Sequence, residues 1–296
     1  MVYLEHLLVL IAIYAILAQS LNIALGYTGV FNLGHVAFYG IGAYTAALLS
    51  LSGYSFWTGL VVAIILAAIA GFILGAPTLR LRGHYLAIAT LGFSEVVRAI
   101  MLNWSSLTRG PMGLPGIPRP DIFGWVLNST AAYLIFAILV AVICNVLMWL
   151  IIHSHFGRVL RSIREDEIAA LALGKNITKY KVQALMISAG FAAVAGVLYA
   201  HYINFIYPST FVINEIVLIL LMVVLGGMGS FKGAIVGAVI IILLPEPLRF
   251  LSLPSSLVGP LRQLIYALLL IVIMLFRPEG IIHPKGIKIP FVKRKS

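Results

Sequence analysis

Residues 56–76 read Phe-Trp-Thr-Gly-Leu-Val-Val-Ala-Ile-Ile-Leu-Ala-Ala-Ile-Ala-Gly-Phe-Ile-Leu-Gly-Ala and contain no charged side chain. An apolar run of about 20 residues is the length that an α-helix needs to cross the hydrocarbon core of a bilayer. Inside a bilayer every backbone N–H and C=O group must be satisfied, and a helix does this within one segment. The stretch therefore predicts a membrane-spanning α-helix.

Similar apolar runs fill most of the chain, which is 62% hydrophobic and 10% charged and has a mean hydropathy of +1.09. Uninterrupted runs favour helices over the alternating pattern of an outer-membrane barrel. We predict an all-α protein, a polytopic membrane helix bundle of about 8–9 transmembrane or re-entrant helices, with residues 1–296 as a single transmembrane domain. The runs lie near residues 7–25, 29–51, 56–76, 85–103, 131–152, 181–203, 212–227, 233–250 and 262–277.

The 20 Lys and Arg residues indicate how the chain is oriented. If loops alternate between two sides, most of these residues fall on the side of residues 157–183 and the C-terminal tail. Basic loops face the cytoplasm, so this side is predicted to be cytoplasmic. Because the basic residues adjoin apolar runs, the net charge of +11 predicts contact with anionic lipid and no nucleic-acid partner. Glycines within residues 26–51 leave a re-entrant or broken segment open, which would change the number of crossings.

Residues 157–183 are the most charged stretch between two apolar runs. Ser162 and Glu165 have the spacing of a capping box, and the acidic residues that follow suit the first turn of a helix. Gly174 is placed to end this helix in the left-handed conformation. The pattern predicts a helix of about three turns that inserts into a groove on another protein. The alternative interpretation is an ordinary basic cytoplasmic loop.

Two charged residues, Glu95 and Arg98, lie three positions apart within the run 85–103. They share a helix face and can pair, which matters because burying a lone charge costs on the order of 3 kcal/mol. Such a pair lines a polar path or holds a moving helix. Alternatively, Arg98 snorkels to the outer surface with Glu95 as its satisfied partner. Thr90 and Ser94 fall on a similar face.

Further polar side chains in and near residues 26–51 are candidates for hydrogen bonds between helices. For His35 a structural hydrogen bond is preferred to a proton relay or a metal site, since no second His, Cys or carboxylate lies at ligand spacing. Cys144 is the only cysteine, so no disulfide and no thiolate metal site are predicted. The other candidates of this group are Gln19, Asn22 and Asn32.

Motifs that would give the chain its own chemistry are absent from the sequence. It has no G-x-x-x-x-G-K-[ST] phosphate loop, no G-x-S-x-G and no H-E-x-x-H. A proton-driven carrier usually needs more buried titratable groups than a single Glu such as Glu95. We therefore predict that the chain is not an enzyme and that its energy comes from a partner.

A short internal similarity pairs Leu25-Gly26-Tyr27-Thr28-Gly29-Val30-Phe31 with Leu225-Gly226-Gly227-Met228-Gly229-Ser230-Phe231. In transporters built from structural repeats, glycine-interrupted helices at matching places point to the transport pathway. A repeat is one interpretation of the similarity, and chance is the other.

Five blocks of the sequence resemble the permease subunits of branched-chain amino acid ABC importers, of the LivM type. In order they cover residues 22–44, 81–93, 157–183, 224–230 and 276–280. The resemblance implies a multi-pass permease of the cell inner membrane that translocates leucine, isoleucine and valine. It also implies a second homologous permease subunit, two ATPase subunits that bind ATP and Mg, and an extracytoplasmic substrate-binding protein. It implies no cofactor in this chain.

The same resemblance implies that residues 157–174 form the cytoplasmic coupling helix, which docks in a groove of the ATPase. In the wider importer class this helix carries a Glu-Ala-Ala-x-x-x-Gly motif. Ala169, Ala170 and Gly174 fit that motif, whereas Glu167 is displaced by one residue through Ile168. The charged residues assigned to ATPase coupling, which serve either docking or topology, are Arg161, Arg164, Glu165, Asp166 and Glu167. The residues assigned to the translocation path or to helix packing are Asn22, Asn32, His35, Thr90, Ser94, Glu95 and Arg98.

Two alternatives remain open at this point. A permease of the same superfamily for urea, short amides or other amino acids would have the same sequence pattern, because the binding protein sets much of the specificity. An ion-coupled secondary carrier would work without ATPase subunits.

Overall fold

The computed structural model describes residues 2–79, 81, 83–122, 125–127, 129–247, 255–277 and 280–282. Within them each predicted apolar run contains a helix; the end of the run 233–250 and most of the basic tail lie outside them. In the described ranges, six helices are long and apolar enough to cross a membrane and three shorter apolar helices accompany them, which confirms the all-α membrane bundle. The helices are α1 (Val2–Asn22, continued by a π-helical turn, Ile23–Tyr27), α2 (His35–Leu51), α3 (Phe56–Thr78), α4 (His84–Asn103), α5 (Ser105–Thr108), α6 (Thr130–His153), α7 (His155–Glu165), α8 (Glu167–Ala172), α9 (Ile177–Ile203), α10 (Ile213–Gly226), α11 (Phe231–Leu243) and α12 (Ser255–Phe276).

Polar residues just before several helices explain where those helices start. A side-chain oxygen that accepts a nearby backbone N–H satisfies one of the free donors of the first turn. The apolar run that follows then continues as a helix, because its side chains favour burial in the bundle or in lipid. Such caps begin α6, α9 and α11, with Ser129, Asn176 and Ser230 as the capping residues.

The helices α1 and α2 run in opposite directions. A ring nitrogen of His6, near the start of α1, lies 2.8 Å from the hydroxyl of Tyr202 at the end of α9. The hydroxyl of Ser50, near the end of α2, lies 3.4 Å from a ring nitrogen of His201, which is also at the end of α9. The sequence allowed a broken or re-entrant segment within residues 26–51. In the structure the helical chain is interrupted only at residues 28–34, and α2 returns to the end of the bundle where α1 starts. The alternation of loops between two ends is therefore preserved.

The connection from α5 to α6 is fixed on the end of α9. Strand β1 (Leu114–Pro115) pairs antiparallel with β4 (Phe205–Ile206), and β2 (Asp121–Ile122) with β3 (Trp125–Val126). The side-chain amide of Asn204 donates to the carbonyl of Ile117 at 2.6 Å, and the His201 ring donates to the carbonyl of Pro118 at 2.7 Å. This connection is therefore held by specific hydrogen bonds.

The chain after α12 packs back onto the connection between α10 and α11. The N–H of Ile281 donates to the carbonyl of Leu225 at 2.8 Å. Gly280 is buried and has a φ of +82°, and a Cβ there would overlap the backbone of Gly227. Glycine is required at this position both for the left-handed backbone and for the close approach.

The central helix α9 and its neighbour α2 touch through their backbones. A Cβ on Gly42 would overlap the backbone of Ala193, and a Cβ on Gly196 would overlap the carbonyl of Tyr39. Small residues let membrane helices approach this closely, and the gain is van der Waals packing. The contact therefore depends on glycine in both helices.

We expect Gly196→Ala to destabilise the bundle by about 1–3 kcal/mol, because the added methyl group overpacks a filled contact. Gly92→Ala in α4 is the matched control, since a Cβ there meets nothing within 4 Å. Thermal unfolding of the purified variants in the same detergent compares the two. Equal melting temperatures would contradict the inferred contact between α2 and α9.

Candidate functional site

The charged stretch forms two helices, and the single helix predicted from Ser162 onwards is wrong. The backbone of Asp166 is extended, and its carboxylate accepts the N–H groups of Ile168 at 2.8 Å and Ala169 at 3.1 Å. Ser162 lies inside α7 and donates to the carbonyl of Val159 at 2.8 Å. An Asp caps a helix as well as a Ser does, and its two bonds begin α8 at residue 167.

The predicted end of this segment at Gly174 is confirmed. Gly174 has a φ of +74°, which glycine adopts without a steric penalty. Its N–H donates to the carbonyl of Leu171 at 2.8 Å, and the N–H of Lys175 donates to the carbonyl of Ala170 at 3.1 Å. These two bonds form the Schellman arrangement that closes many helices.

A small apolar cluster and one ion pair hold α8 against its neighbours. Ala170 is only 2% exposed, so its side chain faces α7 and α9 and not the surroundings. On the other side, the ammonium of Lys181 in α9 donates to a carboxylate oxygen of Glu167 at 2.6 Å. Because both the contact of Ala170 and the ion pair of Glu167 hold α8, its outward face has a defined orientation. The apolar cluster consists of Val159, Ile163, Ala170 and Ile177.

The outward side of α8 is apolar, although it lies beyond the ends of α6 and α9. Ile168 is 78% exposed, Leu171 57% and Leu173 75%. We call these three residues the α8 apolar face; the exposed Ala169 lies beside them. Three large apolar side chains exposed together are a mark of a protein-binding surface. We call the end of the bundle that carries α7 and α8 the basic end.

The two segments with internal sequence similarity lie in contact near the basic end. We call residues 25–31 and 225–231 the first and second glycine turns. Asn22 joins them: its side-chain carbonyl accepts the N–H of Gly229 at 2.8 Å, and its amide donates to the carbonyl of Ser230 at 3.0 Å. A polar side chain with both groups satisfied can be buried between membrane helices, so this bridge fixes one turn to the other.

Arg164 of α7 reaches both glycine turns. Its guanidinium donates to the carbonyl of Gly26 in the first turn and to that of Met228 in the second, the latter at 3.5 Å. Burial lowers the pKa of Arg164, and the neighbouring Tyr27 and Glu165 raise it. The pKa of an arginine side chain is normally so far above neutral pH that Arg164 stays charged here. The side chain expected at the docking surface thus points into the bundle.

The other charged candidates for coupling differ in their placement. Arg161 also points inward: it donates to the carbonyl of Ile152 at 2.8 Å, and its guanidinium lies 5.8 Å from the centre of the Tyr27 ring. Glu165 and Asp166 are exposed. The arginines are therefore placed to connect α7 with the bundle, while the acidic residues are accessible to another molecule.

The polar residues of the first connection form hydrogen bonds within the bundle. A ring nitrogen of His35 lies 2.8 Å from the hydroxyl of Ser20 in α1, which confirms the preferred structural hydrogen bond. Asn32 accepts the N–H of Gly34 at 2.9 Å, so this bond stays within its own loop. Among the described residues, no group of three or more His, Cys, Asp and Glu side chains is placed to hold a metal ion.

The helix α4 carries the remaining candidates. Thr90 accepts the N–H of Leu33 at 3.0 Å and so ties α4 to the connection before α2. Ser94 is buried and bonds within its own helix. The predicted pair forms, because Arg98 donates through Nε to a carboxylate oxygen of Glu95 at 2.8 Å. The structure does not bring this pair together with the glycine turns through any described hydrogen bond.

One carboxylate inside the bundle was missed, so the expectation of a single Glu in the spans is wrong. Glu215, in the first turn of α10, accepts a hydrogen bond from the hydroxyl of Tyr14 in α1 at 2.5 Å. Its position within the run 212–227 was the signal that could have found it. The absence of buried titratable groups is therefore a weaker argument against an ion-coupled carrier than the sequence suggested.

These features define a multi-pass helical membrane protein that exposes the apolar face of a short helix at its basic end. The profile of one protein family, described as Branched-chain amino acid transport system / permease component, matches residues 3–275. The chain belongs to this family, which confirms the resemblance seen in the sequence. It is accordingly a permease subunit.

Curated relatives match over nearly the whole chain. The high-affinity branched-chain amino acid transport system permease proteins LivM of Escherichia coli K12 and Salmonella typhimurium LT2 are each 40% identical over 294 residues, covering 91% of this chain and 68% of the relative. A branched-chain amino acid transport permease protein LivM of Methanocaldococcus jannaschii is 30% identical over 329 residues, covering 96% and 94%. No solved structure matches the chain.

Proposed function

We propose that this chain is the permease subunit of an ABC importer that translocates leucine, isoleucine and valine across the inner membrane. The observation that carries the proposal is the α8 apolar face, which is exposed in the connection between the ends of α6 and α9. Its position beside the Ala-Ala-x-x-x-Gly residues suits docking in an ATPase groove. The 40% identity with the LivM proteins supports the substrate class.

The energy source follows from what the sequence lacks. The sequence contains no phosphate loop, and membership of the family implies that ATP and Mg bind to two partner ATPase subunits. A second homologous permease would complete the path, and an extracytoplasmic binding protein would deliver the substrate. The excess of Lys and Arg at the basic end supports a cytoplasmic position for this end and for the C-terminus.

The mechanism transmits movement through fixed contacts. When ATP closes the ATPase dimer, the α8 apolar face is displaced, and α7 follows because the apolar cluster joins the two helices. Arg164 then carries the movement to both glycine turns at once. Helix ends without regular hydrogen bonding are the places where a bundle can change its opening.

Transport by the assembled complex tests this function. Proteoliposomes with all subunits should accumulate labelled leucine, isoleucine and valine only when both ATP and the binding protein are present. Uptake of labelled urea or a short amide in preference to leucine would show that the complex transports that compound and not branched-chain amino acids. Because Glu215 is a second carboxylate within the spans, the chain is also tested without its ATPase subunits. Robust leucine uptake by this chain without ATPase subunits would identify an ion-coupled carrier instead.

A further inference from the structure

The helix α4 differs in its charged residues from the other membrane spans whose surface is mostly exposed. Of the six candidate spans, α3, α4 and α6 are the least buried, and α4 is the least buried of all. The sequences of α3 and α6 contain no Asp, Glu, Lys or Arg, so their surfaces suit lipid. Only α4 of these three carries formal charges in its middle, namely Glu95 and Arg98.

The two charges are paired but not enclosed. The side chain of Glu95 is 42% exposed and that of Arg98 31%. Charged groups at mid-depth of a membrane face the protein interior or a water-filled cavity and avoid lipid. This side of α4 is therefore placed to face an aqueous path, while the opposite side packs on α2.

The surface around the pair combines open space with apolar side chains. Ile88, Gly92, Glu95 and Ala99 recur at spacings that form one ridge along a helix. A Cβ on Gly92 would meet nothing within 4 Å, so there is room one turn from the carboxylate. The exposed side chains of Ile88 and Val96 border this space. The ridge thus offers a small open surface with charge at one end and apolar contact beside it.

The ion pair leaves part of its hydrogen-bonding capacity unused. Nε of Arg98 donates to Oε2 of Glu95 at 2.8 Å, and Nη2 of Arg98 lies 2.7 Å from the same oxygen. Within the part of the chain that the structure describes, Oε1 of Glu95 and Nη1 of Arg98 have no hydrogen-bond partner. One charged acceptor and one charged donor are therefore available side by side.

We propose that this ridge of α4 is a zwitterion-binding site on the transport path. The α-ammonium of an amino acid donates to Glu95, its α-carboxylate accepts from Arg98, and its aliphatic side chain lies over Gly92 against Ile88 and Val96. Site and ligand are each neutral overall, so a ligand that arrives or leaves never strands an unpaired charge in the membrane. The proposal rests on the proposed function as an amino-acid permease.

Cysteine accessibility in the assembled complex tests the site. Cys144→Ala removes the only cysteine of this chain, Gly92→Cys then places one thiol on the ridge, where the structure leaves space, and the reaction is read on this subunit alone after the subunits are separated. A cationic, membrane-impermeant methanethiosulfonate should modify this thiol, and millimolar leucine should slow the reaction about tenfold, since two charged contacts block access. Ile65→Cys in the exposed middle of α3 is the control and should not react, because thiols facing lipid are not ionised.

Two leucine analogues assign the role of each charge. Leucine without its carboxylate is 3-methylbutylamine, and leucine without its amino group is 4-methylpentanoate. Glu95→Gln should abolish the protection by the amine and keep that by the acid, and Arg98→Gln should do the reverse. If the pair served only to hold α4 in place, both variants would change the protection by both analogues equally, and this result would overturn the proposal.

The outcomes separate this site from the function of the whole chain. The same samples are assayed for ATP-driven leucine uptake and for ATPase activity stimulated by the binding protein. The α4 site alone is overturned if the complex takes up leucine but the thiol of the Gly92→Cys variant is as unreactive as that of Ile65→Cys, or is not protected by leucine. Absence of leucine uptake by the unmodified complex overturns the proposed function itself.

Discussion

Replacing Arg164 by Gln is expected to reduce ATP-driven leucine uptake about 100-fold or more while the complex still assembles. A hydrogen bond from a charged donor contributes about 1.5–3 kcal/mol; Arg164 forms one to the first glycine turn and a longer one, of 3.5 Å, to the second. Without them, movement of α7 no longer reaches the bundle, so ATP hydrolysis and transport become uncoupled. Uptake and stimulated ATPase activity measured on the same proteoliposomes would separate the two steps.

Arg158→Gln is the matched control for this variant. It removes the same charge from the same helix, but Arg158 is exposed and its described hydrogen bond goes to the carbonyl of His153, at the end of the preceding helix, and not to a glycine turn. Its uptake should remain close to that of the unmodified complex. A normal rate in Arg164→Gln, or an equal loss in both variants, would show that Arg164 does not transmit the movement.

A second large effect is expected from Leu171→Asp, which places a charge in the middle of the α8 apolar face. Burial of a leucine side chain in an interface contributes about 1.5–3 kcal/mol, and an unpaired carboxylate there adds a further penalty. The ATPase subunits should therefore dissociate, with at least about 100-fold weaker binding. Co-purification of the ATPase with the permease and ATP-driven uptake should fall together.

The control for the apolar face is Ser162→Asp, which adds the same charge at an exposed position of α7. This variant should retain its ATPase subunits, because position 162 lies outside the α8 apolar face. The folding of both variants is checked by elution as a single monodisperse species in detergent. Retention of the ATPase by a correctly folded Leu171→Asp would refute docking through α8.

The helical runs could be predicted because they depend on local physical chemistry. A continuous apolar run has one satisfactory structure in a bilayer, so residues 56–76 were sufficient to identify α3. The pairing of Glu95 with Arg98 could also be predicted from the sequence, since residues three apart on a helix are neighbours whatever surrounds them. The left-handed end at Gly174 is a property of the residue type itself.

The division of the charged stretch into two helices could not be predicted with the same certainty. Ser162 and Asp166 are both good N-caps, and the sequence does not state which one the backbone uses. The choice depends on packing, because α7 must continue to Glu165 for Arg164 to reach the glycine turns. Likewise, Ala170 faces inward because the cluster on α7 and α9 receives it, and this contact has no signature within α8 itself.

Asn22 has a consequence for how the protein is made. Its two partners, Gly229 and Ser230, lie more than 200 positions later in the chain, with separations of 207 and 208 residues. At about 5–20 residues per second, the ribosome needs on the order of 10–40 s to synthesise that interval. During this time the side chain of Asn22 lacks its partners in the second glycine turn. The junction of the two glycine turns is therefore a late event of biogenesis.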